Sequence, residues 1–368
     1  MGSEMCIRDS PPPPPPLPMC RPSSSPPPGC VLRGHRAEVT ALSLSLSPPG
    51  APLKLASGGS DGELRLWSLH TQRATSVVEA HPGYPLLAIH ALNGGVLMTQ
   101  GRDGFVRTWD LAAGRREPLM ECSATTFSFC QAVPVPARDG EPAVESADGP
   151  PLIAMPSADA QSVVFWDSRQ AGVARTFLPT VTRERAGMCM CLRFIGPDAF
   201  LSGWEDGTLQ LFDVRATSRP CVRQVHSEPL LCIDVCPKGK AAVTGSADCK
   251  VCVIPLLAPT PCEDGVEQAG AGANIALGEP TAREIPVTNE SSGSGGIAAV
   301  RVRADGRVVA TGGWDRRVRV WQWRRMKPLA ILRHHKSTVN ALDFSPCGRW
   351  LASGSSDGTI ALWEGLFC

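Results

Sequence analysis

The sequence predicts an all-β ring of seven small antiparallel sheets stacked about an axis, with the N-terminal strand completing the last sheet. Three observations predict it. A motif recurs along the chain: Ser or Thr, then Asp four residues later, then an apolar or aromatic residue six after the Asp. Its spacing has a base period of 42 residues, in the range of repeat architectures. The repeats also begin with a strand-like segment and end in a sheet with only three strands of its own.

Six copies of the motif are clear: Ser57–Trp67, Thr99–Trp109, Ser202–Phe212, Thr244–Ile254, Thr311–Trp321 and Ser353–Trp363. A seventh, Met155–Asp167, is weaker and one residue longer. The aspartates fall at 61, 103, 159, 206, 248, 315 and 357, with separations of 42, 56, 47, 42, 67 and 42. That is one period with insertions in the second and fifth intervals. Within a copy, side chains alternate in and out as in a strand, for example at Leu64, Leu66 and Ser68. The Asp-Gly pair before that strand is a tight-turn signal. Upstream, Val339, Ala341 and Asp343-Phe344 alternate again before a Ser345-Pro346-Cys347-Gly348 turn. Each unit is therefore an antiparallel sheet that cannot bury both faces alone, and seven around an axis bury them all.

The ends and inserts follow. Residues 1–29 read as a Pro/Ser-rich leader with six consecutive prolines at Pro11–Pro16, polyproline II or disordered. The decapeptide MGSEMCIRDS differs from the rest and reads as an adaptor remnant, with Met19 the expected start. Residues 30–368 form the ring. Loop insertions are expected at 137–151 and 258–296, both rich in small and polar residues. Val31–His35 is expected to pair with the strand ending at Trp363, which removes the open seam.

Composition excludes several classes. Lys+Arg number 36 against 35 Asp+Glu, a balance that argues against a broad basic surface for nucleic acid. No run of 18 apolar residues is present, so no membrane-spanning helix is expected. The 15 cysteines read as reduced, mostly buried thiols. Cys249-x-x-Cys252 and Cys189-x-Cys191 lack a second ligand pair at zinc spacing, so no metal site is expected. No phosphate loop, HExxH or nucleophile elbow occurs, and neither a cofactor nor a catalytic residue is expected.

These repeats resemble the WD40 family, and the chain resembles a seven-bladed β-propeller from about Val31 to Cys368. The resemblance implies a hydrogen-bonded tetrad of His, Ser/Thr, Asp and Trp in each blade. Three sets match in full: His35/Ser57/Asp61/Trp67, His81/Thr99/Asp103/Trp109 and His335/Ser353/Asp357/Trp363. A fourth, His226/Thr244/Asp248, ends in Ile254. The third, fourth and sixth copies lack the His. A Ser-His-Asp grouping also invites a catalytic-triad reading. Its recurrence at fixed spacing in four repeats argues instead for satisfied buried polar groups, and the protein is read as no enzyme.

In this family the Asp turns open onto the narrower face. Arg102, Glu205 and Trp314, each just before its Asp, and Trp204, one further back, are therefore candidate partner-binding residues. Either tryptophan has the alternative of packing over a neighbouring blade. Thr99–Arg115, Gly187–Phe194, Ser202–Val214 and Ala310–His335 narrow the resemblance to the ASTRA-associated, G-protein-β-like propellers. That resemblance implies a scaffold acting with the TTT co-chaperone and PI3-kinase-related kinases, monomeric within a larger complex, in cytoplasm and nucleus. A true G-protein β role needs an N-terminal helix, which the prolines between 11 and 28 forbid. The alternative is a cullin-4 ligase substrate receptor. Such receptors share a WDxR motif, and Trp166-Asp167-Ser168-Arg169 and Phe212-Asp213-Val214-Arg215 resemble it, making Trp166, Asp167, Arg169, Asp213 and Arg215 candidates for a ligase adaptor. A histone or RNA reader would need a basic or aromatic-caged channel, which the neutral charge does not support.

Overall fold

The computed structural model describes residues 26–45, 53–92, 95–123, 128–136, 152–168, 170, 172–179, 187–215, 219–257, 275–284 and 295–365. The adaptor-like decapeptide, the six prolines, the 137–151 insert and Arg169 lie outside them. Seven antiparallel sheets form a β-propeller. Blade 1 spans 39–79, blade 2 86–123, blade 3 133–177, blade 4 189–224, blade 5 230–284, blade 6 297–333 and blade 7 339–364. First strands pack side by side around the axis from blade 4 through blades 5, 6, 7 and 1 to blade 2.

Closure occurs where the sequence places it. Cys30–Arg33 pairs antiparallel with Thr359–Glu364, Val31 opposite Ala361, as the outer strand of blade 7. Leu32, 2% exposed, packs with Trp67, Ile360 and Leu362 and so couples blade 7 to blade 1. The insert expected at 258–296 is corrected in part. Ala276–Leu277 and Thr281–Glu284 both pair with Lys250–Leu257, completing blade 5. Without them that strand would present unpaired backbone along its edge. Their polar, small-residue composition hid them from periodicity.

Two local devices repeat around the ring. In six blades the first strand carries a bulge one residue in: Thr40, Leu87, Met190, Leu231, Ala298 and Asn340 have no partner in the register. And the residue after every motif Asp adopts a left-handed backbone. In four blades it is glycine: Gly62, Gly104, Gly207 and Gly358, with φ between +74° and +86°. At Gly62 a Cβ would collide with the carbonyl of His81. The other three positions are Ala160, Cys249 and Arg316, with φ of 57°, 65° and 69°. Each stores conformational strain of about 1–2 kcal/mol that surrounding pairing must offset.

The tetrads form to different degrees. In blade 7, Trp363 Nε1 donates to Ser353 Oγ at 3.1 Å, His335 Nε2 lies 2.8 Å from the same hydroxyl, and His335 Nδ1 lies 3.3 Å from Asp357. In blade 2 the corresponding distances for Trp109, Thr99, His81 and Asp103 are 2.9, 3.0 and 2.9 Å. In blade 5, His226 bonds Thr244 at 2.8 Å and Asp248 at 3.0 Å, with Ile254 in the indole position. Blade 1 departs from expectation. His35 and Trp67 both reach Ser57, at 2.7 and 2.8 Å, but His35 Nδ1 is buried with no hydrogen-bond partner. Asp61 instead accepts the backbone N–H of Glu63 at 3.1 Å. The fourth member of that tetrad is therefore absent.

Two blades without the histidine use substitutes. In blade 6, Trp321 donates to Thr311 at 3.0 Å, while buried Arg319 pairs with Asp315 at 2.6 Å. In blade 4, Trp204 donates to Ser202 at 2.8 Å. Phe212, in the usual indole position, stacks on Phe200 with centroids 4.9 Å apart.

Three outcomes follow. Arg316→Gly removes a strained side-chain conformation and should stabilise by about 1 kcal/mol in urea unfolding. Ser353→Ala leaves the Trp363 indole N–H and His335 Nε2 unpaired and should destabilise by about 1–3 kcal/mol in the same assay. Burial holds His35 and His90 at a pKa of about 4 and lowers those of His81, His226 and His335. The unfolded chain then takes up protons first, so this stability is full above about pH 6.5 and lost as pH falls towards 4. Asp343, raised by burial to about 6, opposes the trend over part of that range. The thermal midpoint should fall between pH 7 and pH 4.5.

Candidate protein-interaction face and central channel

The Asp turns gather at one end of the propeller, beside the starts of the first strands: Ser356 N–H donates to Thr338 and Trp314 N–H to Gly296. On this upper face Arg102, Glu205 and Trp314 are exposed, as their turn positions predict. Arg102 stacks its guanidinium 4.2 Å from the ring of Phe129, which is 56% exposed. The Trp314 ring lies across Gly296, where a Cβ would approach it to 2.8 Å, and keeps 36% exposure. Glu205 accepts the Met188 N–H at 3.1 Å, so its carboxylate is committed to its own rim. Tyr84 adds another exposed aromatic ring.

Trp204 is a correction. It is fully buried in the core between blades 3 and 4, among Phe165, Phe200 and Phe212. Its indole bonds Ser202 in a blade that lacks the histidine. It presents nothing to a partner.

Below the rim the channel narrows to a polar ring. At one offset in the first strands of five blades, a small residue and an aliphatic one precede His90, Arg193, Asp234, Arg301 and Asp343. Asp343 accepts the Leu44 N–H of blade 1 at 2.7 Å, and Asp234 accepts the Val302 N–H of blade 6 at 2.6 Å. His90 Nε2–H donates to the Ala132 carbonyl of blade 3 at 2.8 Å. Arg193 pairs with Asp234 at 2.7 Å, and Arg301 approaches Asp343 at 3.8 Å. These bonds latch blade to blade where apolar packing is thinnest. Sequence reading missed them, together with Tyr84, Phe129 and Met188. The repeated small–aliphatic–polar triplet was the available signal for the ring. The rim side chains lie in irregular loops that carry no periodicity.

Of the ligase-adaptor candidates, Trp166, Asp167, Asp213 and Arg215 are among the described residues. Asp167 is buried, and Trp166 Nε1 is buried without a hydrogen-bond partner. Asp213 accepts the Arg215 N–H at 2.7 Å, and the exposed Arg215 guanidinium lies 3.7 Å from both Asp198 and Asp213. This group borders a lower-face cavity of about 250 Å³ that includes Ile195, Pro197 and Ile275.

The tetrad hydroxyls are buried and each is held by an indole or imidazole, so none stands open as a nucleophile. Among the described residues no group of three His, Cys, Asp or Glu has the geometry of a metal site. Cys130 and Cys189 sulfurs are 3.9 Å apart in the core, and burial pushes the Cys130 thiol well above its ordinary value.

Comparison with known proteins agrees with this architecture. The WD domain, G-beta repeat family matches residues 27–68, 219–254, 286–322 and 326–364. Guanine nucleotide-binding protein subunit beta-like protein 1 of Mus musculus is 30% identical, over 92% of this chain and 97% of its own length. ASTRA-associated protein 1 of Verticillium alfalfae is 28% identical over 94% of this chain and 96% of its own. The Aspergillus niger protein of the same name is 28% identical over 92% and 96%. With repeats, ring closure and full-length similarity in agreement, the chain belongs to the WD40-repeat propeller family that includes guanine nucleotide-binding protein subunit beta-like protein 1.

Proposed function

We propose that this propeller is a non-enzymatic scaffold that works with the TTT co-chaperone and ASTRA machinery, supporting the maturation and stability of PI3-kinase-related kinases in cytoplasm and nucleus. The observation that carries the reading is similarity along more than nine-tenths of the chain to proteins named for association with ASTRA. Their names concern assembly, and a WD40 propeller serves in general as a platform for other proteins. The upper rim supports it: an exposed Arg102–Phe129 stack and the exposed Trp314 are side chains of the kind that dominate protein interfaces.

A second reading, adaptor binding in a cullin-4 ligase, draws on the exposure of Arg215 beside the lower cavity. Affinity purification from the protein's own cells, with mass spectrometry, separates the two. Wild type should recover TTT components and the large kinases. Arg102→Ala with Trp314→Ala should reduce their recovery at least tenfold while the thermal midpoint stays within a few degrees. Recovery of a cullin-4 adaptor, lost in Arg169→Ala with Arg215→Ala, would favour the ligase reading instead. Recovery of neither set would overturn the assignment.

A further inference from the structure

We infer that the upper mouth of the central channel binds an extended segment of a partner protein through an aspartate or glutamate side chain, which enters the channel to meet Arg193 and Arg301. The inference deepens the scaffold reading and rests on it for the partner's being a protein. The channel divides unequally. Its upper chamber, about 350 Å³, is lined by Phe129 and Trp314 at the mouth and by His90, Arg193 and Arg301 below. No Asp or Glu is among the described residues lining it. Asp234 and Asp343 border only the lower chamber, which shares His90, Arg193 and Arg301 with the upper one. A group descending from the upper face therefore reaches the two guanidiniums first and the aspartates only beyond them.

The arginines retain donors for such a group. Each guanidinium carries five N–H donors. The described contacts engage one Nη of Arg193 with Asp234. On Arg301, Nη1 bonds the Val300 carbonyl at 3.1 Å and Nε stands 3.8 Å from Asp343. Both aspartates also spend an oxygen on the next blade's backbone, which limits how much of each arginine they neutralise. Both arginine side chains are partly open to the channel, at 36% and 26% exposure. A carboxylate is the group that matches planar N–H forks.

The mouth selects a peptide over a free anion. Phe129 and Trp314 offer apolar area to residues flanking the acid, and Arg102 on Phe129 adds a third positive charge above the entrance. The bulged residues Met190, Leu231, Ala298 and Asn340 step around the upper wall, where unpaired backbone can meet an extended chain. Nucleic acid fits less well. It would need a basic track, whereas the chain's net charge is +1 and aspartates underlie both arginines.

The test is selection of a random twelve-residue peptide library displayed on phage against the full chain. Enriched peptides should share one Asp or Glu flanked by apolar residues. Replacing that acid by its amide should weaken binding at least tenfold by fluorescence polarisation. Arg301→Gln should weaken it similarly. Because that change disturbs the blade latch, Ala298→Glu is the companion variant: it places an acid on the upper wall without removing a latch bond and should also cost at least tenfold. Enrichment of peptides lacking an acid, no enrichment, or indifference to Ala298→Glu would overturn the inference. Tighter binding of inorganic phosphate or a single-stranded RNA would do so too. Acidic peptides that bind as expected while purification recovers no TTT component would instead sink the choice of machinery and leave the carboxylate site standing.

Discussion

A hydroxyl shut away from water sits in the second strand of six of the seven blades, and much of the molecule answers the need to bond it. Ser57, Thr99, Ser202, Thr244, Thr311 and Ser353 are all at most 1% exposed. An unpaired buried hydroxyl costs about 1–3 kcal/mol, so each must find partners inside its own blade. An indole from the third strand supplies one and an imidazole from the loop before the first strand supplies another. The loop is thereby tied to the sheet, and the Asp turn is held over both. Where histidine is missing, the demand is met by other means. Trp204 bonds Ser202 in blade 4 and Trp321 bonds Thr311 in blade 6, where Arg319 takes up Asp315.

The same economy explains how the ring holds together. Apolar packing joins the blades along their faces, but the first strands converge on a channel lined among the described residues by His90, Arg193 and Arg301. There His90, Arg193, Asp234, Arg301 and Asp343 bond across blade boundaries and bring opposite charges together. Structure and recognition then share one set of residues. The arginines that latch the lower channel show their remaining donors to the upper one. The rim above them carries the exposed aromatics. A scaffold built this way presents a chemically biased opening.

The period of the Asp turns was legible because each blade solves the same burial problem with the same side-chain spacing. The tetrads His81/Thr99/Asp103/Trp109 and His335/Ser353/Asp357/Trp363 could be paired from the resemblance to WD40 repeats, in which a fixed strand and turn length separates the members. Asp61 shows the limit of that reasoning. Its spacing is right, yet Glu63 lies nearer His35 Nδ1, at 3.6 Å, and Asp61 bonds backbone instead. Trp204 shows another. A tryptophan at a turn reads as an interface residue, and only its packing with Phe165, Phe200 and Phe212 and its bond to Ser202 place it in the core.

By itself the sequence determined the seven-fold repeat, the turn at each Asp, and the closing role of Val31 to Arg33. These depend on alternation and spacing along a single chain segment, which are local properties. The tertiary structure alone decided which rim side chains stay exposed, that part of the long fifth-interval insert completes blade 5, and that residues from five different repeats converge on one channel. Those outcomes depend on distances between segments tens of residues apart. Such distances are set when the ring closes and every blade takes its place against its neighbours.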